Sequence, residues 1–166
     1  MHDFRYVGGK LYCEGVPIEL LVKRFGSPLY VYSQSTLTDH FSKLTTALSP
    51  LDHLVCYAMK SNSNRSVLKV MSDLGSGFDI VSGGELERVV AAGGDSRKCI
   101  FSGVGKTEAE ISFALRNGIY AFNVESVPEL ERIDHIARRL KKKAPIAIRI
   151  NPDVDAKTHA KITTGT

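Results

Sequence analysis

Short apolar runs recur along the chain at a steady interval, and polar stretches with helical periodicity fill the gaps between them. HLVCYAM, GFDIV, KCIF, YAFNV and APIAIRI begin near residues 53, 77, 98, 120 and 144, so successive starts are 24, 21, 22 and 24 residues apart. Each run is short for a helix, and several are rich in β-branched and aromatic residues, so the pattern predicts five strand-plus-helix units. The helical stretches are expected to start near Asn64, Gly83, Thr107 and Ser126. Strands this apolar, separated by helices, imply a parallel sheet covered on its faces.

What precedes the repeat differs in character. FRYV and KLYC flank Gly8-Gly9, a dipeptide that takes positive φ readily, which predicts a β-hairpin. PIELLVKRFG places Pro17 near a helix start and Gly26 at its stop. Pro28 then opens LYVYS, read as a strand, and Ser33 or Ser35 is expected to cap a helix running to about Leu48. The division that follows is residues 1–33 as an N-terminal hairpin, helix and strand segment, and residues 34–166 as the repeating unit.

The fold class is therefore α/β. Five parallel strands fit an open flavodoxin-like sheet, but so regular a repeat also fits a (β/α)8 barrel, which needs ~250 residues. KITTGT follows the fifth strand with no helical pattern to cover it, the arrangement expected of a TIM barrel cut inside a βα-loop after five of eight units. Either architecture puts a site at the carboxyl ends of the strands. The residues there are Lys60, Ser82 with Gly83-Gly84, Ser102 to Lys106, Glu125, and Asn151 onward, with Asp79 and Arg149 inside the second and fifth strands.

Composition narrows this modestly. A chain of 166 residues with 43% hydrophobic and 24% charged positions excludes disorder, a collagen and a membrane bundle. Twenty-two Lys plus Arg against eighteen Asp plus Glu leaves +4, which suits an anionic ligand without demanding nucleic acid. The basic run Arg138 to Lys143 lacks interleaved aromatics and closes a helix, where cations favour the dipole. Cys13, Cys56 and Cys99 lie 43 residues apart, too far for a compact metal motif, and their odd number fits reduced thiols. With no signal-like start and no apolar run near ~20 residues, the expectation is a cytoplasmic protein.

Lys60 stands after an apolar strand, a position that suits a Schiff-base nucleophile, although a solvated loop lysine is the commoner case. Asp79 is an acid in an apolar strand, equally readable as a buried hydrogen-bonded carboxylate or as a ligand group. Arg149 interrupts PIAIRI, and a buried guanidinium cannot shed its charge, so an anion or a structural ion pair is expected beside it. Gly83 and Gly84 open a helix whose free N–H groups are expected to suit an anion, while the order of glycines is wrong for a dinucleotide fingerprint. SGVGKT fails as a phosphate loop because Ile100 stands where the first glycine is required, and Thr107 with Glu110 reads instead as a capping box. His159 and Lys161 sit in a polar loop pattern, and a lone histidine makes no metal site.

YAMKSNSN, GSGFDIVSGGEL, FSGVGKT, FNVES and RINPDVDAKTHAKITTG, in that order at strand ends, resemble the pyridoxal-phosphate-dependent decarboxylases that act on diaminopimelate, ornithine and arginine. The stretch NPDVDAKTHAKITTG is similar to the diaminopimelate branch. The resemblance implies an alanine-racemase-like TIM barrel, pyridoxal 5'-phosphate as cofactor, and decarboxylation of meso-2,6-diaminopimelate to L-lysine. Lys60 would be the lysine that holds the cofactor, with the small Ala58 beside it, and Asp79 and Arg149 would line its pocket. Ser82, Glu125 and His159 carry over as pocket or loop residues, His159 on a loop over the site.

Members of the family are much longer, with later barrel strands, a C-terminal β-domain and a homodimeric assembly. The resemblance thus implies an N-terminal portion that is inactive alone. Two alternatives remain open at this point, a non-catalytic pyridoxal-phosphate-binding barrel and an open-sheet anion-binding module.

Overall fold

A computed structural model of the chain describes residues 2–151. The hairpin forms as expected: β1 (Phe4–Val7) and β2 (Lys10–Cys13) pair antiparallel with Val7 opposite Lys10, and Gly8 and Gly9 take φ of 56° and 77° in the tight turn between them. A two-residue strand β3 (Val16–Pro17), not foreseen in the sequence, pairs with β2 and leads directly into α1 (Ile18–Phe25). Glu19 in the first turn of α1 and Lys23 and Arg24 in the last complement its dipole, and Gly26 ends it. Helix α2 (Gln34–Leu48) is capped by Ser33, whose Oγ accepts the Thr36 N–H. The Glu14 carboxylate links hairpin to helix by accepting the Ser33 hydroxyl at 2.8 Å and the Ser35 N–H at 2.9 Å.

One expectation fails here. Leu29 to Ser33 is not a strand, and Tyr30 and Tyr32 are exposed. Strand propensity is realised only beside another strand, and none among the described residues pairs with this segment.

The repeat itself folds into a five-stranded parallel sheet in the order β4 (Cys56–Ala58), β5 (Gly77–Ile80), β6 (Cys99–Phe101), β7 (Ala121–Val124), β8 (Ile146–Ile148). Helices α3 (Arg65–Asp73), α4 (Gly83–Ala91), α5 (Glu108–Asn117) and α6 (Val127–Arg139) connect successive strands. Chain order equals spatial order, so each unit packs on the last, as in a barrel wall rather than a doubly wound sheet that reverses direction. Asn64, Ser82, Thr107 and Ser126 are the N-caps of the four connecting helices, and Thr107 with Glu110 forms the expected capping box.

The core lies between the sheet and these helices. Phe78, Phe101 and Phe122, on adjacent strands, are fully buried, and the rings of Phe101 and Phe122 stack with centroids 5.9 Å apart. Leu86, Ile111 and Ile133 from α4, α5 and α6 close over them. Strand β8 is exposed along its length, with no described helix after it.

Candidate active site at the strand ends

Parallel register carries one face of the sheet from strand to strand. Ala58 is opposite Asp79, Asp79 opposite Ile100, Ile100 opposite Ala121, and Asn123 opposite Ala147. Because side chains alternate, these residues share the face turned away from the helices, while Phe78, Phe101 and Phe122 take the other. Ala58 and Asp79, named from the sequence, are therefore neighbours on this inner face. Burial pushes the Cys56 thiol up, with the Asp79 charge adding to it, consistent with their common face.

Strand β4 ends at Ala58, earlier than the apolar pattern suggests, and Lys60 stands on the single 3-10 turn Met59–Ser61. Fully buried Met59 anchors the turn, and Ser61 Oγ donates to the Ala58 carbonyl at 2.6 Å. Tyr57 bonds the Asn62 carbonyl through its hydroxyl at 3.0 Å, closing the same loop. Lys60 itself is exposed at the rim, and its side chain makes no hydrogen bond or ion pair among the described residues.

Asp79 is half-buried. Its Oδ1 accepts the Ser102 hydroxyl at 2.5 Å, and Asn123 Nδ2 donates to Ser102 Oγ at 2.9 Å, so one chain of hydrogen bonds crosses β5, β6 and β7 at their carboxyl ends. Asn123 was not foreseen. Its signal was the one that marked Asp79, a polar residue in an otherwise apolar strand.

Arg149 corrects an expectation. It follows β8, donates its backbone N–H to the Val124 carbonyl at 2.9 Å, and its side chain is 61% exposed rather than buried. At an uncovered edge strand a guanidinium needs no buried partner, yet it still finds one acid: Glu125 Oε2 lies 3.0 Å from its Nη1. Two residues named separately from the sequence thus form a pair across the β7 and β8 ends.

The helix start at Gly83 likewise proves already engaged. Ser82 Oγ accepts the Glu85 N–H, and the Gly83 N–H donates to Glu110 Oε1 at 2.8 Å, so the anion at this terminus is a carboxylate of the chain itself. Glu110 also takes the Thr107 N–H and hydroxyl on its other oxygen. These bonds, that from Gly83 foremost, hold its carboxyl below the usual glutamate range. Ser82 serves here as a helix cap.

Lys106, weighed in the sequence only as part of a failed phosphate loop, is buried. Its ammonium donates to the Gly103 carbonyl at 2.6 Å, the Asn123 carbonyl at 2.9 Å and Glu129 Oε1 at 2.6 Å, which uses all three of its protons. Nothing local announced this, because Glu129 is 23 residues away. Among the described residues no group of three or more His, Cys, Asp or Glu is placed to hold a metal ion. His159 lies outside the described residues.

Comparison with known proteins decides the family. Residues 34–166 match the family described as the pyridoxal-dependent decarboxylase, pyridoxal binding domain. The chain belongs to this family. It is 62% identical over 155 residues to a diaminopimelate decarboxylase of Neisseria meningitidis serogroup B, covering 93% of this chain and 37% of that protein. Among solved structures it superposes on a diaminopimelate decarboxylase from M. jannaschii with a TM-score of 0.90 at 36% identity, covering 98% of this chain and 39% of that one. The Helicobacter pylori diaminopimelate decarboxylase, crystallised with L-lysine, gives 0.84 at 44% identity over 89% of this chain and 38% of that one. The chain thus spans less than two fifths of the length of these relatives, and its fold is that of the first part of their TIM barrel.

Proposed function

We propose that the protein is a pyridoxal-phosphate-dependent decarboxylase that converts meso-2,6-diaminopimelate to L-lysine and CO2. The observation that carries this reading is the placement of Lys60, with no bonded partner among the described residues, at the strand-end rim beside Ala58 and Asp79. Similarity to diaminopimelate decarboxylases, at 62% in the case above, supports the choice of substrate.

The residues present fit the cofactor's ring and aldehyde. The inner face carries small side chains at Ala58, Ala121 and Ala147, and Ala58 stands directly beside Asp79 at the end where Lys60 follows, which suits a flat heterocycle there. Lys60 would supply the amine that holds the aldehyde carbon, and Asp79 would set a negative charge beside it. Arg149 would remain a permanent cation at the rim, directed toward anionic groups and partly balanced by Glu125. Each of α3, α4, α5 and α6 has a side-chain oxygen of this chain seated at its N-terminus, so the phosphate would be held by other groups. When bound, the cofactor supplies the electron sink for the pair released as the α-carboxylate leaves. The protein's own part is to orient the scissile bond and to keep charge fixed where it develops.

We further read residues 34–166 as the barrel portion, residues 1–33 as a separate N-terminal segment, and the whole protein as a cytoplasmic homodimer. No helix among the described residues is long and apolar enough to cross a membrane. The test uses the protein as its gene encodes it, loaded with pyridoxal phosphate. Release of CO2 and L-lysine from meso-diaminopimelate is expected, with L-ornithine and L-arginine far poorer substrates. Borohydride reduction should fix the cofactor on Lys60. A label on another residue, or faster turnover of ornithine, overturns the assignment.

A further inference from the structure

We infer that Ser102 is a positioning residue, held by Asn123, whose hydroxyl locks Asp79 in the orientation that presents its second carboxylate oxygen to a cationic nitrogen beside Lys60. This rests on the functional reading above for what occupies that face.

The direction of the chain follows from proton count. Asn123 Nδ2 carries only donors and approaches Ser102 Oγ at 2.9 Å, so Ser102 is an acceptor there and spends its single proton on Asp79 Oδ1. The resulting 2.5 Å separation is at the short end for an O–H···O bond. With Oδ1 so engaged, Oδ2 is left without a partner among the described residues, on the face that Asp79 shares with its register partner Ala58, two residues before Lys60.

Two members of the chain, Ser102 and Asn123, are held through their local main chain by contacts that owe nothing to a ligand. Ser102 donates its N–H to the Ile80 carbonyl at 2.8 Å, extending the parallel ladder past β6. The buried Lys106 ammonium grips the Gly103 carbonyl, next to Ser102, and the carbonyl of Asn123 itself. Serine and asparagine are therefore presented from a rigid base, and the carboxylate oxygen Oδ2 is the charged group that the chain leaves open beside Ala58.

The experiment is a double-mutant cycle in the protein as its gene encodes it, read by the Kd for pyridoxal phosphate, the visible absorption band of the bound cofactor and kcat/KM. Ser102→Ala should weaken binding or kcat/KM by roughly 10- to 150-fold, the worth of one hydrogen bond to a charged group, and shift the absorption band. Ser102→Thr, which keeps the hydroxyl, should restore both. In an Asp79→Ala background, Ser102→Ala should add less than about a further 2-fold, because a residue acting through Asp79 has nothing left to act on. Asn123→Ala should behave in the same way with a smaller loss, which provides a second reading if Ser102→Ala folds poorly. Equal losses with and without Asp79, or an unshifted band in Ser102→Ala, overturn the inference while leaving the functional reading intact. Wild-type binding and turnover in Asp79→Ala alone would remove Asp79 from the site, and so defeat the functional reading of that residue and the inference with it.

Discussion

The two faces of the five-stranded sheet are built from alternate residues of the same strands, and they have little else in common. The helix-facing side, with Phe78, Phe101 and Phe122 fully buried and the last two stacked, is a continuous apolar core. The opposite side carries Cys56, Gly77, Ile100, three alanines and the polar line Asp79, Ser102 and Asn123. One face holds the fold by excluding water, and the other sets a line of polar groups at the strand ends. A period-two pattern is thus read twice, once for stability and once for function.

If that division is right, the largest effect on activity should come from the inner side with almost no cost in stability. Lys60→Ala should lower turnover by at least ~10²- to 10⁴-fold and remove the borohydride-stable label, while leaving the unfolding free energy from urea titration within about 0.5 kcal/mol of wild type, since Lys60 is exposed. A large loss of stability in this variant breaks the comparison. Phe101→Ala should do the opposite, costing about 3–5 kcal/mol of the ~5–15 kcal/mol typical of a folded domain, as measured by denaturant unfolding.

Lys106 sharpens the boundary, because it is a charge on the core side. Lys106→Met strands Glu129 as a buried acid and should cost about 3–5 kcal/mol, whereas adding Glu129→Leu should recover a large part of that loss. A double variant no more stable than the single would show that the ammonium's carbonyl contacts, not the ion pair, matter most.

Smaller effects test the packing between units. A methyl at Gly77 would meet the Lys98 carbonyl at 2.6 Å and Cys56 Sγ at 2.7 Å, so Gly77→Ala should cost about 1–3 kcal/mol in thermal or urea unfolding. Glu110 gives the smallest and a pH-dependent effect. Its carboxyl is lowered in the folded protein, so its stabilisation is full above the unfolded-state pKa and is lost as pH falls through the folded one. Glu110→Gln should therefore flatten the acid side of a stability–pH curve, and an unchanged slope would mean that the Gly83 and Thr107 bonds do not persist in solution.

Much of this was legible in the amino-acid pattern, for reasons that can be located. The helix starts at Ser33, Thr107 and Ser126 depend on a side chain and an N–H three residues on, so neighbouring letters suffice, and Ser82, read from the sequence as a pocket residue, caps its helix in the same way. Lys60 and Asp79 were placed near the rim because strand direction alone determines where a parallel sheet exposes its ends, whereas Ala58 was named only through the family resemblance. Arg149 was misjudged as buried because an apolar strand was assumed to be covered, and the exposure of β8 depends on what lies beside it. Cys99, by contrast, is a free core thiol, pushed up to about 12 by burial.

The strand-and-helix repeat, its caps and turns, and the set of rim residues were determined by the chain's own short-range pattern, since each rests on contacts within a few residues. Only the tertiary structure decided which polar groups meet. Lys106 joins Glu129 across 23 residues, Arg149 joins Glu125 across 24, and Gly83 joins Glu110 across 27, each about one repeat apart. Parallel register sets one unit's strand end beside the next, so partners that no local pattern links become neighbours in space. The same dependence on a neighbour explains Leu29 to Ser33, where strand-forming residues without an adjacent strand stay unpaired.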